Sequence, residues 1–161
     1  MALLKPAASG SQPVSSIDFY PTILGITGLA GDPKHNADMD GLSLVPLLKR
    51  NLAANLKRDT LYWHYPHYYA TTSPVSSIRQ GDWKLLEYLP APASPDASRG
   101  GGEDKRIELY NLRKDIGEEN NLAETMPEKA DELQKRLDAW RKAVDAQMPT
   151  PNPKYSSKVG R

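Results

Sequence analysis

The sequence predicts an α/β chain of the α+β kind: a roughly four-stranded antiparallel sheet with a long C-terminal helix packed on it, and one or two helices ahead of it. Three observations lead there. Ile78-Arg79-Gln80-Gly81-Asp82-Trp83-Lys84-Leu85-Leu86-Glu87 reads as strand, turn, strand, because β-branched, aromatic and aliphatic residues flank a Gly that tolerates positive φ. Two further segments, Leu61 to Tyr69 and Glu108-Leu109-Tyr110-Asn111-Leu112-Arg113, carry the aromatic and aliphatic content of strands. Near the end, Ala130, Leu133, Leu137, Trp140 and Val144 recur at three and four, the period of one helix face.

In chain order, residues 1–14 are rich in Pro, Ala and Ser and read as an irregular lead-in. Ser15 or Ser16 can cap a helix that runs to about Leu29. Asp18 is favourable at its positive end, Pro21 falls in or near the first turn, where its missing N–H does least harm, and Gly28 or Gly31 marks the stop. Asp32 to Asp38 reads as a turn-rich loop, and Leu42 to Leu48, with Pro46 inside it, as a short helix or helical turn. Strands are expected at about Thr60–Tyr65, Val75–Gln80, Trp83–Leu89 and Arg106–Leu112. Residues 90–105, PAPASPDASRGGGEDK, have no hydrophobic period and read as an exposed, mobile loop between neighbouring antiparallel strands. In the last helix Thr125 with Glu128 matches a capping box, Pro127 sits in the first turn, and the alternating charges from Glu128 to Lys142 form the solvated face. Pro149, Pro151 and Pro153 then forbid helix and make residues 149–161 an extended tail.

Composition narrows the function. The 161 residues suit one domain, and 39% hydrophobic content is enough for a modest core. With 21 basic against 20 acidic residues, interspersed, neither a nucleic-acid stripe nor a polybasic membrane patch stands out, so no nucleic-acid and no membrane partner is expected. There is no cysteine, which removes disulfides, thiolate metal sites and cysteine nucleophiles and leaves the redox compartment undecided. Residues 1–10 lack the sustained apolar core of a signal peptide, and no stretch approaches the roughly 20 apolar residues of a membrane-spanning helix. The localisation of the chain is left open.

Taken in order, six segments resemble the end of the formylglycine-dependent sulfatases of the arylsulfatase type: Ser16-Ile17-Asp18-Phe19-Tyr20-Pro21-Thr22-Ile23-Leu24 and Asp40-Gly41-Leu42-Ser43-Leu44-Val45-Pro46-Leu47-Leu48, then Leu61 to Tyr69, Ser77 to Glu87, Glu108 to Arg113, and Asn120-Asn121-Leu122-Ala123. The resemblance covers nearly everything from Pro13 to Pro153. It implies an α/β enzyme whose small C-terminal subdomain is an antiparallel sheet with one long helix. On that basis residues 15–56 are the end of the catalytic domain and a linker, and residues 57–148 the C-terminal subdomain. The expected partners are the sulfatase catalytic domain and a sulfated carbohydrate. The alternatives are a free-standing carbohydrate- or protein-binding module, or a gene remnant.

The resemblance also states what sulfate-ester hydrolysis requires. The family's nucleophile is a formylglycine made from the first residue of Cys/Ser-x-Pro-x-Arg, and no such motif is present: Ser11-Gln12-Pro13-Val14 runs into Ser15. The family's calcium is held by acidic and amide side chains expected upstream of Pro13, since a hard cation needs several converging oxygens. Asp38 and Asp40 read as a capped, solvated loop. The chain is therefore expected to be inactive alone, with no catalytic residue, no metal ligand and no cofactor of its own. In the resembling enzymes the small subdomain forms one wall of the active-site pocket, which makes His64, His67 and Arg79 the candidate substrate-binding residues. A histidine can hydrogen-bond hydroxyl or sulfate oxygens, and Arg79, like Lys84, can hold an anionic sugar. The alternative reading is that the histidines cover a sheet edge and that the two cations are ordinary solvated charges at a strand end. Trp63, Trp83 and Trp140 are assigned to the core.

Overall fold

The computed structural model describes residues 12–49, 56–67, 73–89 and 106–150, which fall in two compact units dividing between Arg58 and Asp59. The expected loop 90–105, most of the lead-in and the tail beyond residue 150 lie outside the described residues.

In the first unit a short 3-10 turn, Ser16–Asp18, runs into α1, Phe19–Thr27. Gly28 stops the helix at φ 74°, a left-handed conformation that costs a glycine little, and its N–H donates to the Leu24 carbonyl. Asp32 to Asp38 is not the plain loop expected. It holds a one-turn helix, α2, Pro33–Asn36, because the Asp32 carboxylate accepts from the Lys34 and His35 amides while Pro33 presets the first helical φ. A second single turn, α3, spans Val45–Leu48.

The buried side of α1 is its polar one. Asp18 is fully buried, and its carboxylate accepts from the Ser15 amide at 2.8 Å, from the Leu42 amide at 2.9 Å and from both terminal nitrogens of Arg58 at 2.7 Å. Arg58 first, and then the Leu42 and Ser15 amides, hold the Asp18 carboxyl down to about 2 against a burial that pushes it upward. One turn on, the Thr22 hydroxyl donates to the Asp18 carbonyl at 2.6 Å and accepts from the Leu44 amide at 2.8 Å. The run from Gly41 to Leu44 is thus hydrogen-bonded to α1 and the turn before it through the Asp18 and Thr22 side chains. It comes that close because Gly41 has no Cβ: one built there would stand 2.0 Å from the Ile17 carbonyl oxygen.

The second unit is a four-stranded sheet in the order β1 (Thr60–Tyr65), β2 (Val75–Gln80), β3 (Trp83–Tyr88), β4 (Arg106–Asn111), every pair antiparallel. β2 and β3 are joined by Gly81-Asp82. Gly81 sits at φ 56° in the first central position, as the hairpin turn compatible with strand twist requires. α4, Pro127–Ala143, packs on one face. Because side chains alternate along a strand, the register assigns that face to Tyr62 and His64, Ser76 and Ile78, Trp83, Leu85 and Glu87, and Ile107 and Leu109. Ile78, Leu85 and Leu109 form the core with Ala130, Leu133 and Leu137, and Tyr62 stacks on Trp140 with ring centres 4.8 Å apart. At about 25 cal/mol per Å² of apolar surface removed from water, such aliphatic residues stabilise the sheet–helix layer by roughly 1.5–3 kcal/mol each.

Four sequence expectations change here. The last helix has no capping box: its N-cap is Met126, and the Thr125 hydroxyl turns back to donate to the Leu122 carbonyl. Val144 is the C-cap and exposed, so the apolar stripe ends before it. Arg141, placed on the solvated face, is buried. Trp63 is 42% exposed, because its place on β1 turns it to the face without the helix, whereas Trp83 and Trp140 do pack on the core.

The loop after β4 explains the Asn-rich signature. Asn121 accepts from the Leu109 amide at 3.0 Å and from Ala123, and the Leu122 amide donates to the Leu109 carbonyl, so this turn occupies backbone groups of β4. Asp115 shapes the approach by accepting from the Glu119 and Asn120 amides, which lower its pKa.

Candidate functional site

The second unit holds a buried polar cluster where β1, β2, β3 and α4 meet. The position four after Leu137 on α4 is Arg141, and the inward positions two from Ile78 and two from Leu85 are Ser76 and Glu87. One terminal nitrogen of Arg141 donates to both Glu87 carboxylate oxygens at 3.1 Å and to Asp138, and the other donates to Ser76 Oγ at 3.2 Å. His64 Nδ1 lies 2.8 Å from the same Ser76 Oγ, and its Nε2 lies 2.7 Å from the Gln147 carbonyl oxygen. A carbonyl only accepts, so Nε2 carries the proton. In the neutral ring Nδ1 then accepts from the Ser76 hydroxyl, which in turn accepts from Arg141. The chain Arg141, Ser76, His64, Gln147 ties the segment after α4 to β1, across 83 residues.

The three candidates from the sequence do not converge. His64 and Arg79 lie on opposite faces of the sheet: His64 pairs with Ser76, and Arg79 stands three residues further along β2, an odd step that reverses the side. His64 faces α4 with both ring nitrogens engaged inside the fold. His67 lies just beyond β1, exposed, its ring edge-on to Tyr65 at 5.3 Å. Tyr65 and Trp63 share with Arg79 the sheet face without α4, and both are about two-fifths exposed. Arg79 turns its Nε to the Gly81 carbonyl, and Lys84 forms an ion pair with Glu118 at 2.7 Å. On that face the Tyr110 hydroxyl is pushed up to about 12, by burial first and then by the neighbouring Glu108 carboxylate. It therefore stays a neutral donor rather than an acid–base group near neutral pH.

The first unit carries a cavity of about 800 Å³ beside α1 and α2, lined in part by Tyr20, Asp32, His35, Asp38 and Asp40. Its polar groups are largely committed to local structure. Asp32 caps α2, and the Tyr20 hydroxyl donates to Asn36 while its ring meets His35 edge-on at 4.9 Å. Among the described residues no three His, Cys, Asp or Glu converge as metal ligands do, so these residues do not fit a divalent cation.

Sequence reasoning missed Asp18 with Arg58, and Ser76, Glu87 and Arg141. For Glu87 and Arg141 a signal existed, since each occupies an inward position of a strand or helix whose other inward residues are apolar.

The second unit is thus an antiparallel four-stranded sheet with its helix on one face, and the first a set of short helices. The comparisons identify the family. The family model "N-sulphoglucosamine sulphohydrolase, C-terminal" matches residues 2–144, and the chain belongs to this C-terminal sulfatase family. It is 29% identical over 135 residues to a sulfatase of Formosa agariphila, covering 81% of this chain and 23% of the relative. It is 30% identical to arylsulfatase K of Danio rerio over 79% of this chain and 22% of the relative. To a Delta 4,5-hexuronate-2-O-sulfatase of Bacteroides thetaiotaomicron it is 32% identical over 67% of this chain and 19% of the relative. Among solved structures, BT4656 in complex with its substrate D-glucosamine-2-N,6-O-disulfate superposes with a TM-score of 0.58 at 26% identity, over 86% of this chain and 25% of that one. The chain thus spans less than a quarter of the length of these curated relatives.

Proposed function

We propose that this chain acts as the C-terminal part of a sulfatase that hydrolyses a sulfated carbohydrate, and that it requires the catalytic part of such an enzyme to do so. The observation that carries this is the match of a C-terminal sulfatase model across both units, 143 residues in all, when the relatives have three quarters or more of their length elsewhere. The 161 residues hold no Cys/Ser-x-Pro-x-Arg motif, and the described ones hold no metal cluster. The attack on sulfur and the calcium of the family therefore belong to the rest of the enzyme. A carbohydrate substrate is supported by the relatives, one named for a hexuronate sulfate and one solved with a disulfated glucosamine.

Within this reading the chain contributes a wall of the substrate pocket at the end of β1. His67 is the exposed member, with Tyr65 against it, and it can offer a hydrogen bond to a sugar hydroxyl or sulfate oxygen. Arg79 lies on the face that carries Tyr65 but opposite Leu61, at the other end of β1, so an anionic sugar that meets its charge extends along the sheet away from His67. His64 supports the wall from behind, through Ser76 and Gln147.

The test is turnover. The purified chain, supplied with calcium and a chromogenic aryl sulfate, is expected to release no phenol above a boiled control. Turnover that co-purifies reproducibly with the 161-residue chain overturns the reading.

A further inference from the structure

In the second unit α4 ends in a turn that sends the chain back toward the edge of the sheet. Val144 is the C-cap, and Asp145 follows at φ 49°, a left-handed conformation that suits an L-residue less well than glycine. The Ala146 amide donates to the Arg141 carbonyl at 2.9 Å and closes the turn. Val144 and Met148 are about half exposed, so apolar burial does little to hold this segment down. What fastens it is the bond from His64 Nε2–H to the Gln147 carbonyl.

That bond forms in one neutral tautomer of His64 and not in the other. With the proton on Nδ1, a bare Nε2 lone pair faces the carbonyl lone pairs at 2.7 Å and repels them. The tautomer is chosen from inside the fold. Ser76 is fully buried and has one hydroxyl proton to place; His64 Nδ1 stands 2.8 Å away, and the residue directly opposite on β3 is Glu87, whose carboxylate is the competing acceptor. Arg141 removes the competitor. One of its terminal nitrogens donates to both Glu87 oxygens at 3.1 Å, and the other donates to Ser76 Oγ at 3.2 Å. The hydroxyl proton is left to His64, Nδ1 becomes the acceptor, and Nε2 keeps its hydrogen.

We propose that Arg141 and Ser76 are the selector of a clasp: by holding His64 in its Nε2–H tautomer they fasten the segment after α4 onto the edge strand β1, and loss of the selector opens it. The place of the clasp gives it a use. α4 packs mainly on β2, β3 and β4, and it meets β1 through the stack of Trp140 on Tyr62. The last pair of β1 with β2 is Tyr65 with Val75, and Pro66 brings no N–H with which to continue the ladder, so His64 is the final residue of β1 on the helix side. The clasp therefore holds the end of β1 from which Pro66 and the exposed His67 leave. What it serves rests on the sulfatase reading, in which that end is a pocket wall and the two selector residues position it; the clasp itself stands on the hydrogen bonds of this chain alone.

The test is nuclear magnetic resonance of the 161-residue chain at about pH 8.5, above the range in which a histidine ordinarily takes up its second proton. The chain has three histidines, and the exposed His67 is the internal reference for a ring free to exchange tautomers. His64 is expected as the Nε2–H form alone, with backbone order at Gln147 near that of a rigid chain, S² about 0.85. Ser76→Ala is expected to turn the His64 signal into a tautomer average and to lower S² at Gln147 and Met148 below about 0.6, with Leu133 and Leu137 unchanged. Ser76→Thr, which keeps a hydroxyl, is expected to restore both. A tautomer average at His64 in the unmodified chain overturns the proposal whatever the variants do. So does a Gln147 that stays as ordered in Ser76→Ala, because the segment is then held without its selector. Loosening of Leu133 and Leu137 together with Gln147 makes Ser76 a packing residue and overturns it as well. None of these outcomes touches the sulfatase reading, which stands or falls on turnover.

Discussion

Removing the charge of Asp18 is expected to release the Gly41–Leu44 run from α1, and the size of the effect follows from its surroundings. The carboxylate is fully buried and accepts four hydrogen bonds, two of them from Arg58. With its pKa lowered from 3.8 to about 2, the group contributes stability that is complete above its unfolded value and is lost as pH falls through the folded one. At 1.36 kcal/mol per unit this amounts to about 2 kcal/mol, withdrawn between roughly pH 4 and pH 2. Asp18→Asn does more than neutralise. It leaves the Arg58 guanidinium, whose side chain is 13% exposed, without its counter-ion, and breaking one partner of such a pair costs about 3–5 kcal/mol. The assay is hydrogen exchange at the Leu42 and Leu44 amides, which donate to Asp18 and Thr22 and so report the junction directly. Protection factors at both amides are expected to fall by two orders of magnitude or more in Asp18→Asn at pH 7, and in the unmodified chain only as the pH drops below 4. If Asp18→Asn protects Leu42 and Leu44 as the parent does, the account of this junction is wrong.

Three other outcomes follow from the same structure. Gly41→Ala forces a methyl group toward the Ile17 carbonyl at 2.0 Å, and is expected to destabilise the first unit by about 1–3 kcal/mol, read from the same amides; an unchanged Leu42 amide refutes the steric reading. Arg141→Ala is expected to cost about 3–5 kcal/mol in urea unfolding, and Arg141→Met with Glu87→Gln is expected to recover part of that; a harmless single variant shows that the buried cluster is not structural. In a reconstituted sulfatase, His67→Ala is expected to lower turnover of the sulfated sugar by roughly five- to a hundred-fold, the loss of one hydrogen bond worth about 1–3 kcal/mol, and to leave a small aryl sulfate nearly untouched; equal losses on both substrates place the residue at the sulfate instead.

The sheet was legible in the sequence because its signals are local. Alternating β-branched and aromatic residues, a Gly-Asp turn and a helix-period stripe from Ala130 to Trp140 state strand, hairpin and helix without reference to anything distant. The sulfatase family was legible for a related reason: its motifs are the segments that set turns and edges, such as Asn121 on β4 and Asp18 at the start of α1. The one-turn helix at Pro33 and the Met126 cap were misread because caps depend on one or two local hydrogen bonds, and the Thr125 hydroxyl donates back to the Leu122 carbonyl instead of capping the helix amides.

What only the tertiary structure decided is which polar residues go inside and which apolar ones stay out. Arg141 sits in the stripe of Leu133 and Leu137, and its burial requires Glu87 and Ser76 from strands 54 and 65 residues away. Asp18 is buried because Arg58, 40 residues on, neutralises it, and so α1 turns its polar side inward and its isoleucines outward. His64 and Arg79 were separated by register, since one strand pairing decides which face each residue takes. Periodicity records where a side chain points along its own element. Whether that direction is inward, and whether a charge is tolerated there, is settled by the partners that folding brings opposite it.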